Sequence, residues 1–140
     1  MTLEKIIAIT GKTGLFNILS QNKAGLIVES LADKKRSSVS LKQQLSALKD
    51  IAIYTYGEEV PLKKVFFLIF KKENGIASVS LKAEPAQLIA YFREILPEFD
   101  EARVYVSSIK KIITWYNLLV ENQFDFNTLI DEAKAEEKAQ

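Results

Sequence analysis

The apolar pattern of this chain changes its period once, near residue 60. Up to Gly57 the apolar residues come in short runs broken by turn residues; beyond it they recur at spacings of three and four. Short bounded runs predict strands, and i, i+3, i+4, i+7 spacing predicts amphipathic helices. A chain that shows first one period and then the other is confined to α+β architectures, with strands and helices segregated along the sequence.

The β part is expected over residues 1–60. Residues 6–9 are rich in isoleucine and end at the turn Gly11-Lys12-Thr13-Gly14; residues 15–20 form the next run. Residues 26–31 follow the polar turn 21–25, residues 36–40 read as a polar edge strand, and residues 45–48 read as a bend. Residues 51–56 make a fifth strand that stops at Gly57. Five short strands with turns between them predict a small antiparallel barrel or strongly bent sheet, SH3-like by analogy of size and strand count.

About three helices are expected over residues 61–126. Pro61 suits the first position of a helix over 61–73, whose stripe is Leu62, Val65, Phe66 and Ile69, with Asn74-Gly75 as a left-handed cap. The competing reading makes 65–70 a buried strand and Asn74-Gly75 a hairpin turn into 76–81. Glu84-Pro85 opens a second helix, 85–96, carrying Leu88, Ile89, Phe92, Ile95 and Leu96, and Pro97 stops it. Residues 104–106 read as extended. Ser107 is the expected N-cap of a third helix, 107–122, with Ile109, Ile112, Ile113, Tyr116 and Leu119 on one face. Phe124 and Phe126 are expected to tuck back onto the core, and residues 127–140 to form a frayed or disordered tail.

Composition narrows the chemistry. Of 140 residues, 48% are hydrophobic and 26% charged, the balance of an ordered globular chain with one domain or two small ones. There is no Cys and no His, which removes thiol nucleophiles, imidazole bases, disulfides and the usual zinc sites. No cofactor or metal is expected. The longest apolar run is 65–70, far short of the ~20 residues of a membrane helix, and residues 1–9 lack a secretory apolar core. The expected protein is cytoplasmic and off the membrane.

Three motifs carry little. Gly11-Lys12-Thr13 lacks the upstream glycine of a phosphate-binding loop and precedes a strand instead of a helix, so it reads as a turn. The carboxylates Glu58, Glu59, Glu98, Asp100 and Glu101 do not converge by spacing alone and lack a calcium-loop pattern. Ser107 and Lys110 have Ser-x-x-Lys spacing without accompanying signatures, and capping explains Ser107 more simply. No catalytic residue is assigned.

Two surfaces remain as binding candidates. Residues 1–72 hold 12 Lys/Arg against 6 Asp/Glu, and residues 73–140 hold 7 against 12. Lys34, Lys35 and Arg36 fall in one turn of the basic part, and alternation sets Tyr54 and Tyr56 on the face opposite Ile53 and Thr55, where they can stack on bases or pack on helices. The second candidate is the helix edge of Lys111 and Trp115, with the opposing reading that the single Trp is buried.

Residues 3–12, Gly14-Leu15-Phe16, 25–31 and 50–55, followed by Pro97-Glu98-Phe99-Asp100-Glu101, 103–107, 109–112 and 115–119, resemble a bacterial domain-of-unknown-function family of Bacteroidetes type over roughly residues 2–125. The resemblance implies a small β unit joined to a helical unit in a soluble intracellular protein, and brings no activity, cofactor or catalytic residue. The expectation is therefore a non-catalytic intracellular binding or adaptor protein with a protein partner or self-association. The alternative is binding of RNA or DNA backbone through the basic β unit.

Overall fold

The computed structural model describes residues 3–12, 14–40, 42–75, 84–126 and 129. The chain divides into two compact units, Met1–Ile51 and Ala52–Gln140.

The first unit is an antiparallel sheet of β1 (Ile6–Ile9), β2 (Phe16–Asn22), β3 (Gly25–Ser30), β4 (Arg36–Ser40) and β5 (Leu45–Ala47), in the order β4-β3-β2-β1-β5. Ile7 stands opposite Phe16 and Ala47, Ile9 opposite Leu45, Ile18 opposite Val28, and Leu26 opposite Val39. Period-2 alternation thereby collects Ile7, Ile9, Phe16, Leu26, Val28 and Val39 into one buried cluster, with Ile18, Leu45 and Ala47 packed against it. Short 3-10 helices, Leu3–Lys5 and Leu48–Asp50, contact each other and bury Leu3 and Leu48. The β2–β3 hairpin closes on Asn22, whose Oδ1 accepts the N–H groups of Ala24 and Gly25 at 2.9 and 3.0 Å. Gly25 is required there, since a Cβ would lie 2.1 Å from the Val39 carbonyl oxygen.

The sheet is open, not a closed barrel: β4 and β5 are its two edges. The fifth strand is Leu45–Ala47, where a bend was expected, and residues 51–56 do not join this sheet. The reason is local. The 3-10 helix Leu48–Asp50 turns the chain, with the Ile51 N–H donating to the Leu48 carbonyl at 3.2 Å. Ala52–Ile53 (β6) then pairs with Val60–Pro61 (β7) inside the second unit. The boundary thus falls at Ile51/Ala52, not at residue 60.

The second unit carries α1 (Leu62–Glu73), α2 (Pro85–Ile95) and α3 (Val106–Glu121), all in mutual contact. Segment 65–70 is helical, and Leu62, Val65, Phe66 and Ile69 are its buried stripe. Asn74 (φ 55°) and Gly75 (φ 82°) end α1 in the left-handed region, with the Gly75 N–H donating to the Phe70 carbonyl at 3.1 Å. Residues 76–81, the hairpin partner in the competing reading of this turn, lie outside the described residues. Glu84, the N-cap before Pro85, and Gln87 in the first turn form a reciprocal capping box.

Two cap assignments are corrected. Pro61 is the N-cap of α1 and not its first helical residue, because it already pairs with Ala52. The third helix starts at Val106 with Tyr105 as N-cap, since the Tyr105 carbonyl already accepts the Ile109 N–H at 3.1 Å; Ser107 lies inside the first turn.

The chain returns onto this core after α3. Phe126 stacks on Phe70 at 4.9 Å, lies 5.4 Å from Tyr116 and meets Phe124 edge-on at 5.1 Å. Leu129 is buried, so the part expected as a frayed tail contains a core residue; 127, 128 and 130–140 lie outside the described residues. No helix among the described residues is long and apolar enough to cross a membrane.

Candidate protein-binding face

The second unit brings two distant segments together around Thr55 and Phe99, which face each other in a single antiparallel bridge. The Tyr56 N–H donates to the Glu98 carbonyl at 2.9 Å, and the Asp100 N–H to the Tyr54 carbonyl at 3.0 Å. Alternation turns Thr55 and Phe99 inward, both buried, and sends Tyr54, Tyr56, Glu98 and Asp100 to the other side. Phe99 meets Phe92 edge-on at 4.9 Å, which ties the bridge to α2.

Hydrogen bonds stiffen both arms. The Thr55 hydroxyl donates to the Glu58 carbonyl at 2.6 Å and accepts the Gly57 N–H at 3.0 Å, closing a side-chain-supported turn. Asp100 closes the opposite turn: Oδ1 accepts the Ala102 N–H at 2.9 Å, and Oδ2 accepts Nε of Arg103 at 2.8 Å. The Arg103 guanidinium reaches back to the Thr55 carbonyl at 3.3 Å and lies 4.5 Å over the Tyr54 ring. Its hydrogen bond is the main cause that holds the Asp100 carboxyl below the usual carboxylate range; burial opposes it, and the Ala102 N–H adds to it.

The surface that results is aromatic. Tyr54, Tyr56 and Tyr105 are 41%, 70% and 64% exposed, and with Leu19 they are the exposed large apolar side chains of the described residues. Beside them a shallow depression of about 330 Å3 is lined by Thr55, Glu58, Val60, Leu96, Pro97 and Glu98. Arg93 pairs with Glu101, lies 4.9 Å over the Phe99 ring, and donates Nη1 to the carbonyl of Pro97 in the lining at 3.4 Å. No group of three or more carboxylates among the described residues is placed to hold a metal ion.

The expected binding residues divide between the units. Lys34, Lys35 and Arg36 are exposed in the first, at the β3–β4 turn. Lys34 adopts φ 64°, Asp33 accepts the Lys35 N–H at 3.0 Å, and Arg36 pairs with Glu29 across the strands at 3.5 Å. The Lys35 N–H is the main cause lowering the Asp33 pKa. Tyr54 and Tyr56 belong to the second unit, exposed opposite buried Ile53 and Thr55. Lys111 is exposed on α3, and Trp115 is half-buried. Sequence reasoning missed Arg103 and the roles of Thr55 and Asp100. Asp100-Glu-Ala-Arg103 is compatible with a turn closed by its own ion pair, but nothing local points to Tyr54.

An open antiparallel sheet followed by a three-helix unit with an aromatic face defines a two-part α+β protein. Sequence comparison divides the chain in nearly the same place: residues 3–48 match the model described as Domain of unknown function (DUF5606), and residues 51–119 the one described as Domain of unknown function (DUF6852). A Bacteroides vulgatus protein solved by solution NMR as a structural-genomics target is 46% identical, with 89% of each chain covered and a TM-score of 0.72. The chain belongs to the same Bacteroidetes-type family as that protein, and itself joins the two domains of unknown function. The comparison with curated proteins gives no match.

Proposed function

We propose that this is a non-catalytic cytoplasmic binding or adaptor protein, which holds a protein partner or a second copy of itself through the tyrosine face of its second unit. The observation that carries this reading is the exposure of Tyr54 and Tyr56 at a backbone bridge stiffened by Arg103 and Thr55, with Tyr105 exposed two residues beyond Arg103. Tyrosine and arginine are enriched among the residues that carry most of the energy in protein interfaces, and tyrosine offers large contact area with few rotors to freeze. A pre-ordered loop pair lowers the ordering cost of association further.

Sedimentation velocity over a wide concentration range, with affinity capture on the immobilised chain, tests the reading. The parent chain is compared with the triple variant Tyr54→Ala, Tyr56→Ala, Tyr105→Ala. Self-association, or stoichiometric retention of one protein, that disappears in the triple variant supports it. A monomer that retains nothing, or retention indifferent to the three tyrosines, removes it.

A second reading rests on the placement of charge in the first unit. The turns holding Lys12 and Lys34-Lys35-Arg36 lie at the same end of the sheet, because β2 starts where β3 ends, with Phe16 opposite Ser30. Lys23 is at the other end of that hairpin. Four cations at one end suit contact with nucleic-acid phosphates. Anisotropy titration with short labelled RNA and duplex DNA checks it: binding that weakens steeply with salt and is lost on charge reversal at 34–36 is the expected result. Absence of binding at low salt ends this reading.

A further inference from the structure

The bridge at Thr55 and Phe99 contains one arrangement twice, and only one copy is filled. Tyr54 lies opposite Asp100, and Tyr56 lies opposite Glu98; backbone hydrogen bonds of 3.0 and 2.9 Å join the two crossings, and alternation sets all four on one face, with Asp100 buried and the other three exposed. At the first crossing the chain supplies its own arginine. Arg103 lies 4.5 Å over the Tyr54 ring and gives Nε to Asp100 at 2.8 Å, so ring and carboxylate together hold one guanidinium. At the second crossing Tyr56 is 70% exposed and Glu98 is exposed, and no cation among the described residues lies on either. The other arginine of the unit, Arg93, is engaged with Glu101, the Phe99 ring and the Pro97 carbonyl.

The surroundings of the second crossing fit the same guest. Glu98 also lines the depression, together with Glu58 and the apolar Val60, Leu96 and Pro97. The hydroxyl of Thr55 fixes the turn that presents Tyr56 and Glu58. Two carboxylates around an apolar wall, beside an exposed aromatic ring, complement a side chain with an apolar stem and a planar cationic end.

We propose that Tyr56 and Glu98 receive an arginine side chain of a partner protein, as Tyr54 and Asp100 receive Arg103, with the depression taking the arginine stem or an adjacent apolar residue. This rests on the reading of the tyrosine face as a protein-binding surface and names the chemistry that the face selects. Arginine is favoured over lysine because the guanidinium stacks on a ring while its edge donates to a carboxylate.

The test is an NMR titration of the full 15N-labelled chain with the capped peptide Gly-Leu-Arg-Leu-Gly, and with the same peptide carrying citrulline, which keeps the shape and loses the charge. Saturable shifts centred on Tyr56, Gly57 and Glu98 are expected, with Kd raised at least tenfold by citrulline. Tyr56→Ala and Glu98→Gln each raise Kd at least fivefold. Both side chains are exposed, and the bridge uses only their backbones, so both variants keep the fold. No saturable shift, equal binding of the citrulline peptide, or unchanged affinity in both variants overturns the assignment. If the peptide fails while the triple tyrosine variant still abolishes association, the arginine assignment falls and the protein-binding reading stands. If that association is also absent, both fall.

Discussion

The guanidinium of Arg103 lies 4.5 Å over the ring of Tyr54, and through this contact the loop before α3 holds the segment that follows β6. The same arginine bonds Asp100 and the Thr55 carbonyl, so one side chain joins the two arms of the candidate face. Exposed cation–π pairs alone are worth only about 0.5–1 kcal/mol. The contact therefore matters less as a source of stability than as a way of holding a surface in one shape.

Thr55 is the buried anchor of that shape. Thr55→Val keeps the volume but leaves the Gly57 N–H and the Glu58 carbonyl without their hydroxyl partner. A loss of about 1–2 kcal/mol in urea unfolding is expected, with faster amide exchange at Gly57. Thr55→Ser restores most of both. Unchanged exchange at Gly57 in the Val variant contradicts the role.

Asp100 makes the face sensitive to acid. Its carboxyl is held below the usual range, first by Arg103, so its contribution is complete above the unfolded-state value of about 3.9 and is lost as pH falls through the lower folded value. Thermal unfolding from pH 6 to pH 2 is expected to show the parent above Asp100→Asn at pH 6, with the gap closing at the acid end. A constant gap over the range contradicts the linkage.

Tyr116 sets an alkaline limit for the helical core. Burial first, and the charge of Glu73 second, push its hydroxyl up to about 12. The unfolded chain ionises this group near pH 10, so the associated stability is present below that value and is lost as pH rises from about 10 to about 12. Between pH 8 and pH 11 the parent should lose more unfolding free energy than Tyr116→Phe. Parallel losses would count against the assignment.

Gly25 limits how far β4 can be changed. Gly25→Ala puts a methyl group against the Val39 carbonyl oxygen, with backbone on both sides of the clash. A cost of about 2–4 kcal/mol is expected, confined to the first unit and seen as lost exchange protection in β3 and β4 before α1–α3. Full protection in β4 of the variant would show that the strands separate freely.

The helices were legible because each carries its own instructions. Leu62, Val65, Phe66 and Ile69 form a stripe, Asn74-Gly75 supplies a left-handed stop, and Glu84-Pro85 supplies a start; all these signals lie within a few residues of the structure they produce. Alternation set Tyr54 and Tyr56 on the face opposite Ile53 and Thr55, which are buried, but left open whether that face packs on the helices; in the fold both tyrosines are exposed. Edge strand Arg36–Ser40 was read from its polarity, and only Val39 in it is buried.

Strand partnership was not legible in the same way. Residues 51–56 have a sound strand pattern, but pattern does not name the neighbour. Leu45–Ala47 takes the place beside β1, and Ala52–Ile53 pairs with Val60–Pro61. Ser107 looked like a cap because its type suits one, yet the Tyr105 carbonyl had already started the helix.

The local chain determined by itself the α+β class, the three helices, the inward and outward faces of its strands, and the absence of thiol and imidazole chemistry. Tertiary structure alone decided that the sheet stays open, that the division falls at Ile51/Ala52, and that Arg103 lies on Tyr54. Periodicity and capping act over a few residues, so they are written into short stretches of sequence. Strand pairing and side-chain contacts between remote segments depend on which surfaces meet once the core has formed, and no single segment encodes that.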